Sequence, residues 1–298
     1  INLLAYNTYI TAFNTNMAVN ETFIDSATIR ENVVSLARNI GYVPRSKRAA
    51  TAKVDYFITD LDSTVTQIKF QAGIISNGRV SNTNYIFSIP EQVTGTAEGG
   101  AAVGTLDIFQ GQYLETNFVV DASQKNQRYV LPNDNIDTST IRVKVRDNAT
   151  STTETEFSLV DNILGITSTS NIYLIQETSD EKYELLFGDG IIGKKLSSGD
   201  VIQVSYIVTD GENGNGPSLF KYSGTTTDSN GLTVSPISTP SVTTTQKAIG
   251  GGSIEPIDSI KYFAPRVYSS QYRAVTAKDY EAIIQQVFPS KLIIRINV

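Results

Sequence analysis

The sequence predicts an α+β fold, with N-terminal helices, a predominantly antiparallel β-sandwich middle and a C-terminal helix-strand unit. Three observations carry this. Apolar residues recur at helical spacing through the first forty positions. From Val54 to about Thr245 the texture changes to short runs rich in Val, Ile, Thr, Tyr and Phe, broken by Gly, Asn, Asp, Ser and Pro. Helical spacing then returns at Thr276 and gives way to a last apolar run at Leu292.

The first element is a helix with Leu3, Tyr6, Ile10, Phe13 and Met17 spaced alternately three and four apart, a heptad-like stripe on one face. About 17 residues at roughly 1.5 Å each make a rod near 25 Å long. Packing on its own domain and packing on a partner helix both fit such a stripe. A second helix is expected over 26–40. Thr28-Ile29-Arg30-Glu31 reads as a capping box, and Ile29, Val33, Leu36 and Ile40 recur along one face. Gly41 is the expected stop, and Pro44 forbids continuation. The cations Arg45, Lys47 and Arg48 just beyond it are read as structural, since they suit the helix C-terminus.

Strands follow at Val54–Thr59, Thr66–Gln71, Tyr85–Ile89, Leu106–Phe109, Ile141–Arg146, Ile172–Gln176, Tyr183–Phe187 and Val201–Val208. Gly95–Gly104, Asp147–Thr155 and the Ser/Thr/Gly-rich span Ser223–Gly252 read as linkers, with few residues able to bury a core. Near the end, Thr276-Ala277-Lys278-Asp279 resembles a capping box and starts a helix to Phe288, with Tyr280, Ile283, Ile284 and Val287 on one face. A strand at Leu292–Ile296 closes the chain. The expected segments are therefore a helical part over 1–52, a first β domain over 53–119, a β-sandwich domain over 120–210, a connection over 211–252 and a C-terminal α/β segment over 253–298. The chain opens at Ile1 without a Met and stops inside an apolar run, so it reads as a fragment of a longer protein.

Composition narrows the function. With 24 basic and 30 acidic residues the net charge is −6, which offers nucleic acid or an anionic membrane no general attraction. The sequence contains neither Cys nor His, which removes thiol nucleophiles, imidazole bases and thiolate or imidazole metal sites. No apolar run approaches the roughly 20 residues of a membrane-spanning helix. No enzymatic activity, cofactor, metal, nucleic acid, membrane or small-molecule substrate is expected.

Two motifs imitate enzymes. Asp60-Leu61-Asp62-Ser63-Thr64 follows an apolar strand, as in haloacid-dehalogenase-type phosphatases, but Thr66–Phe70 continues as strand and the βαβ units of that chemistry are missing. Gly188-Asp189-Gly190-Ile191-Ile192-Gly193-Lys194-Lys195 nearly fits a phosphate loop, yet no helix follows whose amides could face an anion. Phe187, Gly188, Asp189, Gly190 and Gly193 are accordingly read as a structural β-turn between strands.

That turn belongs to a longer pattern. Tyr183-Glu184-Leu185-Leu186-Phe187-Gly188-Asp189-Gly190, then Gly199-Asp200-Val201 and Gly214-Asn215-Gly216, resembles the signature of baseplate J-like proteins. Leu36–Pro44 upstream, and Gly250–Glu255 and Arg273–Tyr280 downstream, resemble its flanking motifs in the same order. Two positions depart from that pattern: the acidic residue after the glycine pair is displaced to Glu255, and Phe157 stands where the family has Trp. The resemblance implies a structural part of a contractile phage-tail baseplate, located in the virion and assembled in the host cytoplasm. It further implies a homodimer within a wedge, ring contacts with more copies, and contacts with other wedge proteins. The stripe Leu3, Tyr6, Ile10, Phe13 and Met17, and the face Tyr280, Ile283, Ile284 and Val287, are the expected protein interfaces. The rival reading is a carbohydrate-binding or host-adhesion β-module, suggested by the strands and 15 Tyr residues.

Overall fold

The computed structural model describes residues 2–124, 126–160, 165–178, 181–234, 242–271, 273–277 and 279–280. Helices α1 (Asn2–Asn20) and α2 (Arg30–Asn39) come first. Strands β1 (Thr51–Ile58), β2 (Gln67–Phe70), β3 (Gly73–Val80), β4 (Thr83–Ile89), β5 (Val93–Glu98), β6 (Ala101–Gln110), β7 (Gln112–Val119) and β8 (Tyr129–Val130) follow. Next are β9 (Ile136–Arg146), β10 (Thr155–Leu159), β11 (Ile172–Glu177), β12 (Tyr183–Phe187) and β13 (Val201–Val208). The last elements are β14 (Phe220–Tyr222), β15 (Thr226–Asp228), β16 (Val242–Ile249) and helix α3 (Ile257–Ser270). Helices at both ends and a β middle make this the α+β arrangement the sequence predicts.

The chain forms two compact units. Unit one comprises Ile1–Arg45, Gln176–Glu181 and Glu255–Val298, and unit two comprises Ser46–Ile175 and Lys182–Ile254. In unit two, one sheet runs β14-β3-β4-β6-β5-β2-β15, with β1 bonded to β6 and β16 to β1. The other runs β7-β13-β9-β10-β11-β12-β8. β1 pairs antiparallel with β6, and β13 with β7 and β9, whereas β10 meets β11 in parallel.

Strand alternation sets both cores. In β1, Ala52, Val54, Tyr56 and Ile58 are buried while Lys53, Asp55 and Phe57 face outward, the period-two pattern of a half-buried strand. Those inward residues join Phe70, Phe87 and Ile108 in the first core, where the Tyr56 and Phe70 rings lie 4.7 Å apart. The second core gathers Val143, Phe157, Tyr173, Tyr183, Ile202 and Tyr206 around the Phe187 ring. Gln110 joins the sheets: its side-chain carbonyl accepts from Thr209 Oγ1 (2.8 Å) and the Asp210 N–H (3.0 Å), and its amide donates to Asp210 Oδ2 (2.7 Å). A buried Gln fully engaged in this way costs little, whereas an unpaired one is expensive.

Unit one is built on α2 and α3, with Val33, Val34 and Ala37 facing Ile260, Ala264 and Val267. The sequence places α2's start too early and misreads its cap. The helix begins at Arg30 after Ile29, which provides no side-chain cap. Glu21, seven residues before Thr28, does the capping instead: its Oε1 accepts the Thr28 N–H (2.8 Å) and hydroxyl (2.7 Å), and its Oε2 accepts from Asn32 (2.9 Å) and the Ile29 N–H (3.3 Å). Ile29 consequently stands exposed rather than in the stripe. The stop is as read: Gly41 has φ +80°, and the Gly41 and Tyr42 N–H groups bond the Arg38 and Ala37 carbonyls.

These bonds hold the Glu21 carboxyl down, from an ordinary 4.5 to about 2, with the Asn32 and Thr28 side-chain bonds as the largest causes. A depressed carboxylate contributes stability that is complete above about pH 4.5 and lost as pH falls towards 2. Glu21→Gln should therefore lower the unfolding midpoint of unit one at pH 7 and remove part of its acid sensitivity. Thermal melts of parent and variant at pH 7 and pH 2.5 test this; an equal pH dependence in both would contradict the capping role.

Two further expectations are corrected. Gly95–Gly104 is not a linker but the end of β5 and the start of β6, whose Ala97 and Ala102 are buried cross-strand partners. Within Ser223–Gly252, β15 and β16 join the first sheet, and Ala248 is fully buried in its core. Helix α3, absent from the sequence reading, carries Pro265 inside it. The expected strand Leu292–Ile296 lies outside the described residues.

Candidate assembly surfaces

Helix α1 is the exposed feature of unit one. None of its 19 residues is buried, and it contains no charged side chain. Within the predicted stripe, Leu3 is 74% exposed, Tyr6 61%, Phe13 51% and Met17 43%, with Ile10 half-buried. Leu4, Tyr9 and Val19, which lie off that stripe, are also exposed, so the helix is apolar on more than one side. Most helical stability in proteins comes from packing an apolar face, and no residue of α1 is buried.

The C-terminal surface is only partly described. Thr276 and Asp279 form the predicted reciprocal cap: Asp279 Oδ2 accepts the Thr276 N–H at 2.8 Å, and Thr276 Oγ1 accepts the Asp279 N–H at 3.3 Å. Tyr280 follows, 47% exposed. Ile283, Ile284 and Val287 lie outside the described residues.

The Phe187 turn has the geometry of a fixed scaffold. Phe187 packs edge-on against Tyr129 and Phe157, with centroids at 5.5 and 5.8 Å. Asp189 Oδ1 accepts the N–H groups of Ile191 (2.8 Å) and Ile192 (2.9 Å), and these bonds hold its carboxyl below the usual carboxylate range. Gly188 touches the Gly193 backbone so closely that no Cβ fits, and Gly193 has φ +80°. The Asp189 oxygen that a phosphate loop would keep clear of its amides here occupies two of them itself. Asp60–Thr64 likewise forms a polar loop: Asp62 Oδ1 accepts the Thr64 N–H (2.8 Å) and hydroxyl (2.7 Å). Among the described residues, no cluster of three carboxylates is placed to hold a metal.

Sequence reasoning missed the buried hub of unit one, although it noted Glu255 as displaced. The Glu255 side chain is completely buried. It accepts from the Tyr42 hydroxyl (2.8 Å), the Ser259 hydroxyl (2.6 Å) and the Arg45 N–H (3.0 Å), with the Arg45 guanidinium 3.7 Å away. Burial, then the nearby Glu255 charge, pushes the Tyr42 hydroxyl far above its ordinary range. Arg30 bonds the Glu177 carboxylate at 2.9 and 3.2 Å and also donates to the Glu255 carbonyl. Burial raises the Glu177 carboxyl and Arg30 opposes that rise. Of the basic cluster, Arg45 thus serves the hub, while Lys47 bonds Asn135 at 3.1 Å in unit two. No spacing rule links Tyr42, Ser259 and Glu255; the displaced acid was the available signal.

Comparison with known proteins converges on one assignment. Residues 114–209 match the family described as bacteriophage baseplate wedge protein gp6, third domain. That stretch contains β9 to β13 and the Phe187 turn. The chain is also 30% identical over 309 aligned positions to baseplate wedge protein gp6 of Enterobacteria phage T4, covering 97% of this chain and 45% of that protein. The chain thus spans less than half the length of the curated relative it matches. The ordered motifs from Leu36 to Tyr280, the matched third domain and the similarity along nearly its whole length make the chain similar to part of that baseplate wedge protein.

Proposed function

We propose that this chain is a structural subunit of a contractile phage-tail baseplate wedge, joining copies of itself and neighbouring wedge proteins into a six-fold ring around the hub. It acts in the virion without catalysis or cofactor, and its assembly takes place in the host cytoplasm. Likeness to gp6 supports the setting. The observation that carries the assembly role is α1: nineteen residues, no charge, and no buried side chain. Such a surface is assembly material, because exposed contiguous apolar patches mark interaction sites in soluble chains.

The first contact is a homodimer through Leu3, Tyr6, Ile10, Phe13 and Met17. The second uses the helix that begins at Thr276, on the face headed by Tyr280 and continuing to Ile283, Ile284 and Val287. A ring needs both, since one self-complementary patch closes only a pair. Replacing Ile10 and Phe13 by Asp should weaken self-association at least tenfold in sedimentation, with the far-ultraviolet strand signal unchanged. An oligomer as tight as the parent's would overturn the α1 contact.

A further inference from the structure

We infer that the Phe187 turn is also a docking knob, and that its receptor is a cleft on the second sheet of another copy of this chain. The proposal rests on the ring reading above and adds a contact to it.

The knob is over-built for a plain turn. Besides the two Asp189 bonds, the Gly190 N–H bonds the Gly193 carbonyl (3.1 Å), the Gly193 N–H bonds Thr167 (3.1 Å) and the Lys194 N–H bonds Ser170 (2.8 Å). A frame so fixed presents its side chains in one arrangement. Those side chains are Ile191, 78% exposed, and Ile192, 44% exposed, followed by exposed Lys194 and Lys195. Neither lysine has an ion-pair partner among the described residues, though the Asp189 charge lies near Lys195. Nothing in the turn's hydrogen bonding requires isoleucine at the tip, and polar residues there would leave its frame unchanged.

The cleft lies in the same unit and has a volume of about 700 Å³. Its floor is the outward face of the second sheet, where cross-strand register aligns Glu115, Ser205 and Arg142 in one row and Gln203, Lys144 and Glu156 in the next. Ala72, Pro90 and the exposed Leu159 add apolar wall. Its charges do not balance. Arg142 is matched by Glu91 at 3.2 Å and Lys144 by Glu154 at 3.0 Å. Glu115 bonds only Tyr113 and Gln203, and no cation reaches Glu156 among the described residues. Two carboxylates outside any ion pair, beside apolar wall, complement two ammonium groups outside any ion pair, beside two isoleucines. Such complementarity selects partner and register. Knob and cleft are different patches, the requirement for a contact that continues from copy to copy.

The test mixes unlabelled and ¹⁵N-labelled full-length chains and treats them with a zero-length carbodiimide, which joins amines only to carboxylates in ion-pair reach. The expected product is mixed-isotope peptides linking Lys194 or Lys195 to Glu115 or Glu156. Replacing both lysines by Glu should abolish these links, and mixing that variant with Glu115→Lys/Glu156→Lys chains should restore association at least tenfold. Links absent, or found only within single chains, while association through α1 persists would overturn the knob-and-cleft contact. Links retained in the Ile10→Asp/Phe13→Asp background, with the parent's affinity unchanged there, would support this contact and overturn the α1 contact alone.

Discussion

Replacing Glu255 by Ala is expected to destabilise unit one by about 3 kcal/mol, the low end of what breaking a buried ion pair costs. The carboxylate is completely buried, and its truncation strands the Tyr42 and Ser259 hydroxyls and the Arg45 N–H at once. Each donor left without a partner carries its own desolvation penalty. Arg45 softens the loss because its side chain is 29% exposed and regains water. Hydrogen exchange read by mass spectrometry is the measurement. Amides of Arg30–Asn39 and Ile257–Ser270 should exchange roughly a hundredfold faster, since about 1.4 kcal/mol is a factor of ten, while β9 and β13 keep their protection. Unchanged exchange in α2 and α3 would show that the helix contacts suffice without the hub. Glu255→Gln should fall between the two, because one amide oxygen still accepts while its NH₂ faces donors.

The hub also shows why part of this molecule was legible in its sequence and part was not. The Val/Ile/Tyr-rich runs of β1 and β13 and the Gly41 stop are local, so composition and spacing reveal them. The Thr276–Asp279 cap is local too, and reads correctly. Glu21 capping α2 from outside the capping-box spacing is not local, and the nearer Thr28–Glu31 pattern concealed it. Helix α3 was hidden by Pro265, a residue that normally ends helices. Glu255, Glu177 and Arg30 meet only because unit one draws on three separated stretches of chain, which no window of sequence displays. For the proposed assembly surfaces, the stripe on α1 was visible as a periodicity. That α1 has no buried residue at all required the structure, since the same spacing serves a helix packed on its own domain.

Phe70→Ala should cost roughly 3–5 kcal/mol, the usual range for truncating a buried aromatic, and the loss should stay within the first sheet. Phe70 is fully buried at the end of the four-residue strand β2, with Tyr56 at 4.7 Å and Tyr222 edge-on at 6.4 Å. Short β2 lies between β5 and β15, and its inward side chains are only Ile68 and Phe70. The two cores of unit two have no buried residue in common. Polar ties between them include the three hydrogen bonds of Gln110 to Thr209 and Asp210, the Ala49 N–H donated to Asp137 and the Arg142–Glu91 ion pair, each hydrogen bond worth about 1 kcal/mol net. Those four hydrogen bonds, about 4 kcal/mol in sum, are of the same order as the damage at Phe70. The variant should unfold in two steps, with amides of β1, β2 and β6 losing protection at a denaturant concentration where β9 and β13 retain theirs. A single transition in which all these strands exchange together would mean that contacts beyond Gln110, where β3 and β4 meet β7, bind the cores into one cooperative block.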